Sequence, residues 1–347
     1  MTPQGSSTHE SVQEYYGTIL TNSKGLKTSA CSGSKPPAPI LACLKLVPQE
    51  VSERFFGCGA PLPLGIDGLR VLDLGSGSGR DAFVCAQLVG EHGSVTGVDM
   101  TKELLQIAQQ NAQPYCEKLN YGKSNMEFIE GHIEYLDRAG IADDSVDIVI
   151  SNCVVNLSPD KERVLKEAYR VLADGGEFFF SDLYCTRRLP EHVKENKLLW
   201  GEGIAGALYI EDFKRLARSV GFTVPRALNA ERVTTTDAEL AKEVAHQAGD
   251  VTFCSITYRL FKLPGLLESL GEDYGQVATY KGTIAGHEHL YQLDADHKFI
   301  TGKPTLVSGN TAAMVGEGGT SWLSNHFEVT GNRDTHYGLH RDRLTGR

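Results

Sequence analysis

The chain lacks several features whose absence narrows its function. No run of about 20 apolar residues is present, which a membrane-spanning helix would need, and Met1 to Gly17 is polar, without the apolar stretch of a secretory leader. Basic residues are too few to dominate: 34 Lys and Arg stand against 44 Asp and Glu, for a formal net charge of −10. A nucleic acid or an anionic membrane surface requires a basic face to neutralise phosphates, so neither is expected as a partner. None of the eight cysteines forms a Cys-x-x-Cys pair. That excludes the local spacing of a structural zinc site, and any soft-ion site must be assembled from distant segments. With no export signal, the cysteines read as free thiols in a cytoplasmic protein.

What is present is enough apolar material, 41% of 347 residues, for a catalytic core with appended modules. Residues 1–68 read as an arm or lid, with a Ser/Gly/Lys/Pro-rich stretch from Cys31 to Pro39 and one short helix around Leu41 to Phe56. From Leu69 the pattern changes to apolar runs separated by helical spacing. Strands are expected at Leu69–Leu74, Ser94–Asp99, Met126–Ile129, Val146–Ile150 and Glu177–Ser181. Between them, helices are expected from Arg80 to Gly90, from a Thr101 cap until Pro114 ends or kinks the helix, and from a Ser158-Pro159 start to a Gly175-Gly176 stop. This alternation specifies an α/β fold with a doubly wound parallel sheet over 69–182. An α+β substrate-binding module over 183–262 should follow, with a helix at Glu211–Val220 and strands at Phe222–Leu228 and Val251–Phe261. A small C-terminal domain, 263–347, carries no chemistry legible in the sequence.

The segment Asp73-Leu74-Gly75-Ser76-Gly77-Ser78-Gly79 falls where the first strand turns into the first helix, and glycines there let a ligand approach the backbone closely. Asp99 ends the second strand, where a carboxylate accepts ribose hydroxyls. Gly77, Gly79 and Ala82 also fit a loose dinucleotide pattern, so the glycines alone do not separate NAD from S-adenosylmethionine. Asp73 decides for S-adenosylmethionine, because an acid beside the first glycine suits an ammonium and repels a pyrophosphate. A plain helix-capping acid in a structural turn is the alternative. Ile133 and Glu134, past the third strand, are placed to contact adenine, Asn152 faces the donor's methionine end, and Met100 either packs on adenine or belongs to the core.

With these stretches in view, the sequence resembles the arsenite methyltransferases that use S-adenosylmethionine. The resemblance rests on Tyr15-Tyr16-Gly17, Leu26 to Cys31, Phe55-Phe56-Gly57-Cys58-Gly59, Val71 to Asp81, Ser151 to Leu157, Leu199-Trp200-Gly201-Glu202 and Tyr258 to Lys262, with weaker similarity at Gly286-His287-Glu288 and Gln292 to Ala295. It implies a class I methyltransferase sheet, an arsenic-binding module, and cysteines from separate segments gathered around the metalloid. Cys31, Cys58 and Cys153 match such positions, with Cys58 and Cys153 as the As(III) ligands and Cys31 as a third ligand or a redox partner. A thiol reductant, glutathione or thioredoxin, is implied as well, and a monomer is expected. The chemistry is coherent: trivalent arsenic is soft, prefers thiolates, and keeps a lone pair aimed at an electrophilic methyl, so no general base is required. Cys43, Cys85 and Cys116 read as packing residues.

The sequence departs from the family at Gly203, where relatives carry a further arsenic-ligating cysteine. With one thiolate missing, coordination must draw on Cys31, Cys185, Cys254 or an external thiol, and methylation is expected to stop early. Gly203→Cys should then shift the product toward dimethylated arsenic, provided the backbone there does not require positive φ. Two other readings stand beside this one: a methyltransferase for a small organic or selenium acceptor, and a non-catalytic metalloid-binding protein.

Overall fold

Proline placement decides how the arm folds. Pro48 has no N–H to continue a helix, so the single helix expected around Leu41 to Phe56 is instead two, α1 (Ala38–Leu44) and α2 (Gln49–Glu53), the second starting directly after Pro48. The structure, a computed structural model, describes residues 8–10, 12, 13, 15, 36–57, 60–234 and 238–340. Cys31 and Cys58 lie outside that set.

Downstream come β1 (Arg70–Leu74), α3 (Arg80–Leu88), β2 (Ser94–Asp99), α4 (Lys102–Lys118), β3 (Met126–Glu130), β4 (Val146–Asn152), α5 (Lys161–Val171) and β5 (Leu172–Cys185). Three expectations are corrected here. Pro114 does not end α4, which runs through it to Lys118. The cap of α5 is Asp160, whose side chain accepts the Arg163 N–H, and not Ser158, whose hydroxyl is directed to Glu134. Gly175-Gly176 does not stop a helix: α5 has already ended at Val171, and the glycines lie inside β5, opposite an irregularity in its pairing with β4.

After β5 follow α6 (Glu191–Lys194), α7 (Lys197–Gly201), β6 (Leu208–Tyr209), α8 (Ile210–Val220), β7 (Arg226–Val233), α9 (Ala238–Ala248) and β8 (Phe253–Phe261). The strand expected at Phe222–Leu228 thus begins later, at Arg226. The main sheet runs in the order β3-β2-β1-β4-β5-β8-β7, with β6 paired to β5. Strands β1 to β5 are parallel, β8 is antiparallel to β5, and β7 is antiparallel to β8. The sheet therefore continues without interruption into residues 226–261.

Alternation along the strands divides the core in two. Val71, Ile148 and Ile150 join α3 and α4 on one face, while Leu72, Leu74, Val149, Phe178 and Phe180 join α5 and α8 on the other. A third cluster, containing Leu183, Val193, Leu199 and Ile204, covers the carboxyl end of β5. The C-terminal region supplies β9 (Val277–Tyr280), β10 (Leu290–Gln292), β11 (Lys298–Ile300), β12 (Thr305–Leu306), α10 (Gly309–Met314) and β13 (Phe327–Thr330). Its Ala278, Tyr280, Phe299 and Phe327 share the first cluster with Ile40 and Leu64 of the arm. Among the described residues, no helix is long and apolar enough to cross a membrane.

Candidate active site

A parallel sheet gathers the ends of its strands along one edge, and where the strand order reverses between β1 and β4 a crevice opens. A cavity lies there, lined by the β1–α3 turn, the ends of β2 and β4 and the segment after β3. The turn from β1 into α3 forms its floor. Gly75 has φ +70, and a Cβ at that position would come 2.4 Å from Val154, so only glycine lets the loop run beneath the crevice. Gly77 and Ser76 line the cavity beside it. Gly79 is not in the wall: it is the N-cap of α3, facing Phe83 and Phe128.

Asp99, at the end of β2, is nearly buried, and its two oxygens accept the backbone N–H groups of Gly77 at 2.8 Å and Thr101 at 2.7 Å. Burial pushes its carboxyl above the usual range, against the pull of those hydrogen bonds. Asp73 is raised further, first by burial and then by the neighbouring charges of Asp81 and Asp99, with Arg80 opposing. Asp81 was not singled out from the sequence, although it ends the same Gly-Ser-Gly-Arg-Asp run. Its carboxylate takes two hydrogen bonds from Arg80 at 2.6 and 2.9 Å and one from Asn152 Nδ2 at 2.7 Å, and the Arg80 guanidinium lies 3.1 Å above the Phe55 ring. With Asp81 neutralised by Arg80, the nearly buried Asp73 and Asp99 carboxylates in the same wall suit a cationic ligand. The Ser76 hydroxyl, buried with no hydrogen-bond partner among the described residues, calls for a polar one. S-adenosylmethionine, with its ammonium, sulfonium and ribose hydroxyls, fits both requirements.

Met100, Ile133 and Glu134 also line the cavity. The Glu134 carboxylate is already engaged by His9 at 3.0 Å and by the Ser158 hydroxyl. Burial raises its carboxyl, but those two hydrogen bonds outweigh it and hold the group below its ordinary value. His132, also absent from the sequence reading, lines the cavity too, and burial lowers its pKa, which favours the neutral ring.

Cys153 stands where the cavity meets the third apolar cluster, lining the one and packing against the other. Its backbone is left-handed, φ +60, and its N–H donates to Ser181 O at 2.9 Å. A non-glycine residue held there carries strain of about 1 kcal/mol or more, which the surroundings must offset, and such strain concentrates at functional sites. Cys153 is disulfide-bonded, while Cys43, Cys85, Cys116, Cys185 and Cys254 are free. Neither Cys185 nor Cys254 is among the residues lining the cavity. Cys185 is buried, donates to Ala207 O at 3.4 Å and has its thiol pushed up to about 12, chiefly by burial; Cys254 packs with the cluster on the opposite face of the sheet.

The segment carrying Gly203 follows α7. Trp200 donates from Nε1 to Leu157 O at 3.1 Å, and the Tyr15 hydroxyl donates to the buried Glu202 at 2.6 Å, which anchors the arm to this segment. Gly203 has φ +76, and a Cβ there would lie 3.3 Å from Leu183 of the third cluster. The condition attached to Gly203→Cys therefore fails, because an L-residue at this position is strained.

Residues 66–221 match a family described as a methyltransferase domain. The arsenite methyltransferase of Aquipseudomonas alcaligenes is 48% identical over 332 residues, covering 95% of this chain and 93% of the relative. That of Homo sapiens is 44% identical over 306 residues, covering 88% and 80%. The crystal structure of an arsenic (III) S-adenosylmethionine methyltransferase from Chlamydomonas reinhardtii is 62% identical, with a TM-score of 0.84 over 88% of this chain and 100% of that one. A sheet of this order, a crevice walled by carboxylates at the first strand-to-helix turn, and relatives matched over nearly their whole length lead to one conclusion: the chain belongs to the arsenite methyltransferase family and is an S-adenosylmethionine-dependent methyltransferase.

Proposed function

We propose that the methyl acceptor is trivalent arsenic held by Cys58 and Cys153, with Asp73, Asp99 and the Gly75–Gly77 loop binding the donor. The observation that carries this reading is the position of Cys153, in the donor cavity wall and beside the apolar cluster at once. Bound S-adenosylmethionine supplies an electrophilic methyl group. The chain's part is positional: its thiolates hold arsenic with the lone pair free, and the strained backbone at Cys153 fixes the direction of one of them. Orientation of this kind lowers a barrier by about 7–11 kcal/mol in favourable cases.

Arsenic gives its lone pair to the methyl carbon as the donor's carbon–sulfur bond breaks, which leaves arsenic formally pentavalent. Two thiolates return it to the trivalent state and are themselves joined as a disulfide, so a thiol reductant, glutathione or thioredoxin, has to reopen them. The disulfide already present at Cys153 supports that requirement. Counted after the disulfide has been reopened and one thiolate has rebound, each methyl added leaves arsenic with one thiolate fewer. With glycine at 203 and Cys185 and Cys254 outside the cavity lining, the methylated product loses its hold early, and monomethylated arsenic is the expected main product.

Chromatography of arsenic species over time, with donor, arsenite and thiol, tests the reading. Cys153→Ser should abolish methylation while leaving donor affinity intact, since a hydroxyl is neither soft nor ionised at neutral pH. Parent-rate methylation by Cys153→Ser would refute the thiol assignment, and dimethylated arsenic as the early main product would refute early release.

A further inference from the structure

The wall of the donor cavity also holds a cluster of metal-ligating side chains. His9, His132 and Glu134 each present one ligand atom, and these atoms lie within 4.8 Å of one another. The His9 and His132 rings stand 4.6 Å apart between centroids, and His9 Nε2 is 3.0 Å from Glu134 Oε1. His132 Nδ1 is buried with no hydrogen-bond partner among the described residues. Buried ring nitrogens are normally paired, so this one points to a missing partner. Arg163 donates to the Glu134 main-chain carbonyl at 2.7 Å and not to its carboxylate, which takes the Ser158 hydroxyl.

We propose that His9, His132 and Glu134 form a binding site for a borderline divalent cation of the zinc type, and that the occupied site hinders entry of the methyl donor. Two imidazoles and one carboxylate are a zinc donor set with an open fourth position. Zn–N and Zn–O bonds of about 2.0–2.2 Å place tetrahedral ligands about 3.4 Å apart, so His9 and Glu134, now 3.0 Å apart, would open slightly while the others, within 4.8 Å, close in. The consequence for the donor follows from where the ligands originate. His9 belongs to the N-terminal segment, which also places Val12 in the cavity wall and ties Gln13 Nε2 to Met100 O at 2.7 Å; His132 and Glu134 follow β3 on the core side. An ion held by all three ties the N-terminal segment to the residues after β3 at the cavity wall.

Zinc also binds thiolates, so the test uses the full chain carrying Cys58→Ser and Cys153→Ser, with Co2+ as the spectroscopic probe. One equivalent should bind with ligand-field bands of a nitrogen–oxygen shell and without thiolate-to-metal charge transfer. His9→Gln and His132→Gln should each weaken that binding by at least about tenfold, as expected when a ligand is lost, with the circular dichroism of the fold retained. Saturating Zn2+ should raise the donor's Kd by at least about tenfold in the Cys58→Ser/Cys153→Ser chain and not in its His9→Gln derivative. Absence of binding, a thiolate signature, or affinity indifferent to both histidine substitutions overturns the site; a donor Kd unaffected by zinc overturns its effect on the cavity.

Discussion

A carboxylate gripped by two backbone N–H groups has little freedom left, and Asp99 is held this way between Gly77 and Thr101. Hydroxyls of a bound ribose meet an acceptor that is already oriented, so little ordering entropy remains to be lost. Asp99→Ala should weaken S-adenosylmethionine binding by about 1–3 kcal/mol through lost charge-assisted hydrogen bonds; calorimetry on the folded variant giving parent affinity would remove Asp99 from the donor site. Gly203 makes the opposite argument, from a side chain that is missing. At φ +76 an added Cβ is strained, so Gly203→Cys should lower stability by about 1–2 kcal/mol and leave the share of dimethylated arsenic unchanged. A stability loss absent from denaturation curves, or a rise in dimethylated product, would show that the loop relaxes to accept the side chain.

At the scale of elements, the turn from β1 into α3 concentrates charge. Asp73, Asp81 and Asp99 converge on one cavity, and burial raises Asp73 and Asp99 above the usual carboxylate range. In the donor-free protein these groups therefore take up protons at higher pH than an exposed aspartate. A cationic donor selects their ionised forms and must expel those protons, so its affinity should fall as pH is lowered from 8 to 5.5, approaching tenfold per unit wherever one full proton is displaced. Titration calorimetry in buffers of different ionisation enthalpy measures both the trend and the proton release. Constant affinity without proton release would show that the carboxylates stay ionised in the free cavity. Pattern and cap residues located most of these elements: β2 spans the expected Ser94–Asp99. The failures came where a tertiary partner outbid a local signal. Ser158 resembled a helix cap, but its hydroxyl goes to Glu134, and Asp160 caps α5 instead.

At the scale of the molecule, one buried ion pair joins the sheet to the C-terminal region. Arg259 on β8 makes two hydrogen bonds to Glu177 on β5, at 2.6 and 2.8 Å, and donates to Tyr291 Oη and Leu293 O; Trp322 Nε1 donates to the same Glu177 carboxylate at 2.9 Å. Both charges are almost fully buried. Removing one leaves the other uncompensated, and Glu177→Gln should cost about 3–5 kcal/mol in chemical denaturation. Because the pair is shared, signals from the sheet and from the C-terminal region should be lost in a single transition. A cost below about 1 kcal/mol, or two separated transitions, would show that the two parts are joined by the shared apolar cluster alone.

By itself the sequence determined what depends on near neighbours. The apolar runs and intervening helical spacing defined the strands of a doubly wound sheet; the Asp73–Gly79 segment and Asp99 were marked by their places at strand ends, because sheet topology brings those ends to one edge. Only the tertiary structure decided the rest. That Asp81 adds a third carboxylate to the cavity depends on how α3 docks against Asn152. That Cys153 and Gly203 both have left-handed backbones depends on what the folded chain packs around them, and that the Cys185 thiol holds its proton so strongly depends on burial within a cluster drawn from distant segments. Backbone handedness, burial and a thiol's proton affinity are set by groups distant in the chain, so no local pattern carries them.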